Sequence, residues 1–334
     1  MRSIKLPSSI SGLLGFAPVP APPHVFALDA SRLRYGQFLR DRHGYRFRSW
    51  REAALAHDAF HSGMLGGPLR DPAAFRELVG GLVRGVQGGV REASLVVPDA
   101  WLRVAFAESG DLPKGGQARD EVLRWKLRRL VPFRIDELRV NAAEVEPLPN
   151  QEEPRRLLLG FAVEQLLAQI EEAFAAHGVR LGAISNTSLA LLGALSEGSG
   201  GRESRDGLTA LALVEDGGYT LVFARGAEPV LHRYKGFTGS LPDTARSGLV
   251  MRDLRLTRNF LEENLPGAPL SQVLLVSPPE HEPVWVDILS EGLGAAAAAL
   301  DGRHLPPLRA EDPVVPPSWR DLAPMLGAAR REVA

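Results

Sequence analysis

The sequence predicts an α/β protein made of a duplicated unit, and three observations carry that reading. Strand-like runs come in meanders of three, each meander is followed by helix, strand and helix, and the order restarts after a glycine-rich, apolar-poor segment at residues 196–207. A length of 334 residues suits two or three domain-sized units, each able to bury a core of its own.

The elements justify themselves in order. Residues 1–23 read as a flexible lead-in, because the prolines between positions 17 and 23 remove backbone donors and fix φ. Val25 to Leu28 is a short buried strand closed by Asp29, and Tyr35 to Leu39 and Tyr45 to Trp50 return beside it. Asp71-Pro72 opens a helix whose inner face is Phe75, Leu78, Val79 and Leu82. Ala93 to Val97 is a strand ended by Pro98. Gln117 to Val131 is a charged helix with an apolar stripe at Leu123, Leu127 and Leu130, Trp125 beside it, and Pro132 as its stop. Leu138 to Val145 and Leu157 to Val163 are strands framing a Pro/Glu-rich loop at 146–156. Val163, Leu166, Leu167, Ile170 and Phe174 form a helical stripe closed by His177-Gly178, with strand Val179 to Ile184 next.

Beyond the linker at 196–207, strands Thr209 to Val214, Tyr219 to Ala224 and Pro229 to Tyr234 are joined by turns at Asp216-Gly217-Gly218 and Arg225-Gly226. Ser240 to Asn264 reads as a long helix with a break near Gly248, Val273 to Ser277 as a buried strand, and Val284 to Leu300 as an alanine-rich helix. The Pro-rich stretch at 305–317 is expected along the surface. A meander with helix, strand and helix, given twice, is the skeleton of the actin-like ATPase architecture.

Composition sets the outer limits. Lysine and arginine number 39 against 40 aspartates and glutamates, a net charge of -1, so the overall balance draws the chain to neither nucleic acid nor an anionic surface. The absence of cysteine excludes disulfides, thiolate metal sites and cysteine nucleophiles. No run supplies ~18 uninterrupted apolar residues, and the apolar start Ile10 to Phe16 is broken by Ser11, Gly12 and Gly15, so a soluble cytoplasmic protein is expected.

Motifs for chemistry are sparse. There is no G-x-x-x-x-G-K-[ST], G-x-G-x-x-G or G-x-S-x-G. His57 and His61 have helical metal-ligand spacing without the glutamate of H-E-x-x-H. Arg119, Arg124, Lys126, Arg128, Arg129 and Arg134 crowd around Trp125 and Phe133, yet Asp120, Glu121, Asp136 and Glu137 are interleaved; a solvated helix face, a phosphate track and a protein-binding groove all fit that pattern. Asp216-Gly217-Gly218-Tyr219-Thr220 is either an ordinary hairpin turn or a phosphate loop, with Asp29-Ala30-Ser31-Arg32 as its counterpart in the first half. Near the end, Trp319, Leu322, Met325, Leu326 and Ala329 fall at helical spacing beside Arg320, Arg330 and Arg331, which fits a membrane-surface helix or a packed terminal segment.

Residues 130–138, Leu-Val-Pro-Phe-Arg-Ile-Asp-Glu-Leu, follow a charged helix containing Trp125 and run into a strand. This stretch resembles the PilM family of type IV pilus assembly proteins, where such a helix leads into a Pro-Phe-x-x-x-Glu segment. The similarity extends through Ser94 to Pro98, the helix, glycine and strand of 163–184, Val214-Glu215-Asp216-Gly217-Gly218, Arg252 to Leu261 before Val273 to Ser277, and Ala323 to Arg331, covering about residues 24–331.

The resemblance implies an actin-like ATPase fold of the kind shared with FtsA and the cytoplasmic part of GspL, with a small α+β subdomain inserted in its first half. On that plan residues 24–97 begin domain I, 98–177 hold the insert and the helix after it, 178–195 end the domain I core, 208–280 form domain II, and 281–334 return to domain I. It also implies a scaffold peripheral to the inner membrane. Such a scaffold binds the N-terminal cytoplasmic tail of a PilN-like membrane protein, connects to motor ATPases, reaches the membrane through its partners and has no nucleic-acid ligand. Leu130, Pro132 and Phe133 are the candidate partner-binding residues, with Phe133 either lining a pocket or closing the core.

Many members of the family bind ATP. The candidate nucleotide residues in this chain are Asp29, Ser31, Asp216, Gly217, Gly218 and Thr220, but Asp-Ala-Ser-Arg lacks the first-turn glycine. Glu215-Asp216 shifts the second acid, and Ser277-Pro278-Pro279 replaces the adenine-side glycine pair. No cofactor and no catalysis are therefore expected, with at most weak ATP–Mg binding. The alternatives are an ATP-binding switch of the same fold and a GspL-like type II secretion component.

Overall fold

The computed structural model describes residues 21–110, 112–113, 116–146, 156–198, 207–215, 217–237 and 243–330, with side chains of 243–246 excepted. The first meander is β1 (His24–Leu28), β2 (Arg32–Asp41) and β3 (Gly44–Ala54), all antiparallel. Helix α1 (Pro72–Val83) starts as its sequence dictates: the Asp71 carboxylate accepts from Ala74 N at 2.9 Å, and Pro72 occupies the first turn. It leads to β4 (Glu92–Val97), which lies parallel to β1.

The insert then departs and returns. It comprises β5 (Arg103–Glu108), α2 (Gly116–Arg128), β6 (Leu138–Val145) and β7 (Arg156–Val163), whose strands form an antiparallel sheet in the order β5-β7-β6. Helix α3 (Glu164–Ala175) leads back to β8 (Arg180–Asn186), parallel to β4, and α4 (Thr187–Gly198) closes the first half.

The second half restates the plan with β9 (Leu208–Glu215), β10 (Gly218–Arg225) and β11 (Glu228–Gly236), then α5 (Asp243–Asn264), β12 (Leu270–Val276), α6 (Glu282–Leu293) and β13 (Ala297–Ala299). β14 (Leu308–Ala310) and α7 (Trp319–Ala328) rejoin the first half. The large sheets are ordered β14-β3-β2-β1-β4-β8 and β11-β10-β9-β12-β13, so each carries an antiparallel meander extended by parallel strands.

Burial explains the layering. α1 and α3 cover the outer face of the first sheet around Phe26, Phe75, Ile170 and Phe174. α5 and α6 cover the second around Phe223, Leu254 and Leu289. α4 and α7 fill the space between the sheets, with Leu191, Leu322, Met325 and Leu326 fully buried. That placement decides the role of the terminal helix: its apolar face is core, and a Cβ on Gly327 would overlap the carbonyl oxygen of Ala190 on α4.

Other readings are corrected. The alanine-rich run is not one helix, because Gly294 at φ 68 ends α6 and Ala297 to Ala299 pair with β12. Gly248 does not interrupt α5, which runs from Asp243 to Asn264. β5 was not predicted at all. The linker begins later than expected, since α4 reaches Gly198; residues 199–206 lie outside the described residues, as do 1–20.

Candidate functional site: the interdomain cleft and the insert groove

The carboxyl ends of β1, β4 and β9 bring Asp29, Asp99 and Glu215 toward one another between the halves. Asp29 turns its carboxylate back on its own loop. Oδ1 accepts from Ser31 N at 2.7 Å, Ser31 Oγ at 2.7 Å and Arg32 N at 2.9 Å, while Oδ2 pairs with Arg34 on β2. Arg34 also grips Asp321 on α7, so one half-buried guanidinium joins the first turn to the terminal helix. Burial alone would raise the Asp29 pKa; Arg34 and the hydrogen bonds from Ser31 and Arg32 outweigh it and hold the carboxyl below its ordinary value.

Asp99 is completely buried. It accepts from Asn186 Nδ2 at 2.7 Å, from Ser188 N at 3.1 Å and from the Ser188 hydroxyl. His232 of β11 reaches across from the second half, with Nε2 3.0 Å from Ser188 Oγ. A hydroxyl has one proton; Ser188 gives it to Asp99 and accepts from the His232 ring. The order is opposite to that of a serine nucleophile with a histidine base, in which the hydroxyl donates to the ring. These three residues form a buried tie between the halves.

Glu215 has its pKa pushed up to about 8, first by desolvation and then by Asp99 and Asp29, with Arg320 and Arg34 opposing. The second turn has a structural use for Gly218. A Cβ on Gly218 would run into Lys235 O of the neighbouring strand, and Gly217 O accepts from Phe237 N at 2.9 Å. Thr220 is buried in β10 opposite Leu213 and Tyr234, and Asp216 lies outside the described residues. On the third turn the carbonyl of Pro278 accepts from His281 N at 3.0 Å as α6 starts.

Most of the candidate nucleotide groups among the described residues are engaged with one another. The Ser31 and Arg32 amides are satisfied within their own turn, Arg34 is matched by two carboxylates, and burial with Asp99 and Asp29 favours the protonated form of Glu215. Among the described residues no group of three or more His, Asp or Glu is arranged to hold a metal ion.

The second concavity is open. A groove of about 510 Å³ runs between β8, the outer strand of the first sheet, and the face of the insert sheet that α2 does not cover. Alternation along the strands produces it: Leu157, Leu159 and Phe161 point into the insert core with Leu123 and Leu127, whereas Leu158, Gly160 and Ala162 face the groove. Its middle is floored by small residues, including Ala143, Gly160 and Ala183. One end carries Arg139, bound by Glu164 and Glu171 at 2.6 Å each. No strand among the described residues pairs with the outer edge of β8.

Comparison with known proteins agrees with this architecture. No protein-family model matches the chain, and no curated protein matches it. A chain of a PilM–PilN type IV pilus biogenesis complex superposes with a TM-score of 0.68 at 16% identity, covering 94% of this chain and 96% of that one. The fold is that of PilM. A Bacteroides thetaiotaomicron protein with an actin-like ATPase fold aligns at TM-score 0.48, 8% identity and coverages of 91% and 95%. The cytoplasmic domain of EpsL from the Vibrio cholerae type II secretion system aligns at 0.43, 10%, 91% and 93%.

Within this PilM fold the predicted partner residues sit on the α2 side of the insert, away from the groove. Leu130 and Pro132 are exposed, while Phe133 packs on the insert core with its ring 6.1 Å from that of Phe161. Asp99, Ser188, His232, Arg34 and Asp321 were not anticipated, because the contacts that join Ser188 to His232 and Arg34 to Asp321 span 44 and 287 residues of sequence. The groove had one legible sign: Gly160 and Gly182 interrupt otherwise apolar strands, a mark of close backbone approach.

Proposed function

We propose that the protein is a non-catalytic actin-like scaffold of a type IV pilus or related secretion assembly. Its groove holds an extended cytoplasmic segment of an inner-membrane partner. The observation that carries this reading is the groove itself: a strand edge at β8 that is unpaired among the described residues, beside a floor of small residues, suits a peptide that adds as a strand and sets alternate apolar side chains into the middle of the channel. The solved structure that superposes on 94% of the chain comes from a complex of PilM with PilN, which supports a partner of that kind. The self-satisfied cleft supports a scaffold that works without nucleotide.

The test is calorimetry with a synthetic N-terminal tail of the PilN-like protein from the same cell. The parent chain should bind it. Gly160→Val should fold normally, since a Cβ there meets nothing nearer than Leu102 Cδ2 at 3.7 Å, yet lose the peptide because the added methyls narrow the floor. Unchanged affinity in that variant would remove the groove from consideration.

A further inference from the structure

The insert turns a second face outward that neither the cleft nor the groove uses. Leu123 and Leu127 anchor α2 to the insert sheet, and the spacing leaves Arg124, Trp125, Arg128, Arg129 and Leu130 in solvent. Trp125 is 55% and Leu130 47% exposed, both high for large apolar side chains. Residues 116–134 carry six basic and two acidic side chains in a chain whose net charge is -1, so positive charge is concentrated here and the remainder is acidic. Arg128 and Arg129 make no ion pair among the described residues; the Arg129 guanidinium instead lies 5.6 Å from the centre of the Trp125 ring.

An indole and a leucine at the tip of an arginine cluster match the chemistry of an anionic bilayer surface. The indole prefers the headgroup boundary, and arginine stems lie along apolar surface while their heads meet lipid phosphate. Nucleic acid suits the patch less well, because Arg129 already covers one face of the only exposed tryptophan of α2, where a base would stack. We propose that this face of α2, with Leu130 and Pro132, binds anionic phospholipid directly and sets how the protein lies on the membrane. The proposal is independent of the groove and of its occupant.

The experiment is flotation of the full chain with vesicles of phosphatidylcholine alone and of phosphatidylcholine with phosphatidylglycerol. Binding is expected only to the anionic vesicles, weakening as salt is raised. Arg128→Glu with Arg129→Glu should weaken it by at least about tenfold without changing the melting temperature. A control of equal charge change, Arg91→Glu with Arg309→Glu, should leave it near the parental value. Trp125 should also report contact: the fluorescence blue shift on anionic vesicles is expected in the parent and absent in Trp125→Phe. Equal flotation with neutral vesicles, equal loss in the control pair, or arginine-dependent binding to a single-stranded oligonucleotide without vesicle binding would each overturn the proposal. Because no peptide is present in the assay, its failure leaves the groove reading standing.

Discussion

The cleft between the halves and the groove beside the insert are both concave, but they treat their polar groups differently. In the cleft the turn amides of Ser31 and Arg32 bind Asp29, Arg34 is divided between Asp29 and Asp321, and Asp99 accepts hydrogen bonds from Asn186 and Ser188. In the groove the outer edge of β8 pairs with no strand among the described residues, and the floor is kept low by Ala143, Gly160 and Ala183. A concavity that has satisfied itself supplies rigidity. One that leaves backbone edge and space is built to receive something. The experiments below aim to separate those two kinds of concavity.

The largest expected effect is in the cleft. Arg34→Ala leaves the partly buried Asp29 and Asp321 carboxylates without their shared cation and should cost about 3–5 kcal/mol in urea unfolding. A loss below about 1 kcal/mol would mean that the network is solvated and the cleft is less closed than its hydrogen bonds suggest.

Glu215 gives the next effect, and its sign follows from proton linkage. A carboxyl with a folded pKa of about 8 and an ordinary unfolded value holds its proton when folded and loses it when unfolded throughout the window between them. The folded state therefore binds more protons, so stability falls as pH rises from about 4 to about 8, and the loss is complete above the folded value. Glu215→Gln removes that burden. The variant should match the parent near the acid end and exceed it by about 2–4 kcal/mol at the alkaline end. Parallel stability profiles for the two proteins would contradict the crowding of Asp29, Asp99 and Glu215.

Phe133→Ala tests which side of the insert is core. Its half-buried ring packs on Phe161 and lies 5.8 Å from the Arg103 guanidinium, so truncation should cost about 2 kcal/mol, less than for a fully buried ring. Peptide affinity should be unchanged. A folded variant that loses the peptide would move the docking site to Leu130, Pro132 and Phe133.

The duplicated plan was legible because both meanders are apolar runs separated by short turns, and turns such as Arg225-Gly226 carry their own signature. β5 escaped notice because Arg103 to Glu108 has no fully buried residue; its strand character comes from pairing with β7. The alanine run misled because alanine favours helix, while pairing with β12 decided otherwise. In the terminal helix, an apolar stripe looks the same whether a bilayer or α4 covers it. The cleft residues were illegible for a different reason: Asp99 after a proline is unremarkable until Asn186, Ser188 and His232 are brought to it by three separate elements. The departures from the expected glycines at Ala30-Ser31 and Pro278-Pro279 were visible, but the contacts that the first of these turns makes with Asp29 were not.

The smallest expected effect is the response to Mg-ATP, where thermal melting should show no resolvable shift. A ligand that binds only the folded state at about a hundredfold above its Kd adds about 2.7 kcal/mol, several degrees for a protein of this size, so real binding would be conspicuous. To enter the first turn a phosphate would have to displace the Asp29 carboxylate from Ser31 and Arg32, and the carboxylate, still paired with Arg34, would remain beside it as a like charge. In the second turn the close approach of Lys235 O already accounts for Gly218 without a phosphate. Running the titration beside the tail peptide gives the comparison its sharpest form, because the open groove should shift the melt and the filled cleft should not. A Mg-ATP shift of several degrees that survives in Gly160→Val would show that the cleft opens, and would make the protein a nucleotide switch.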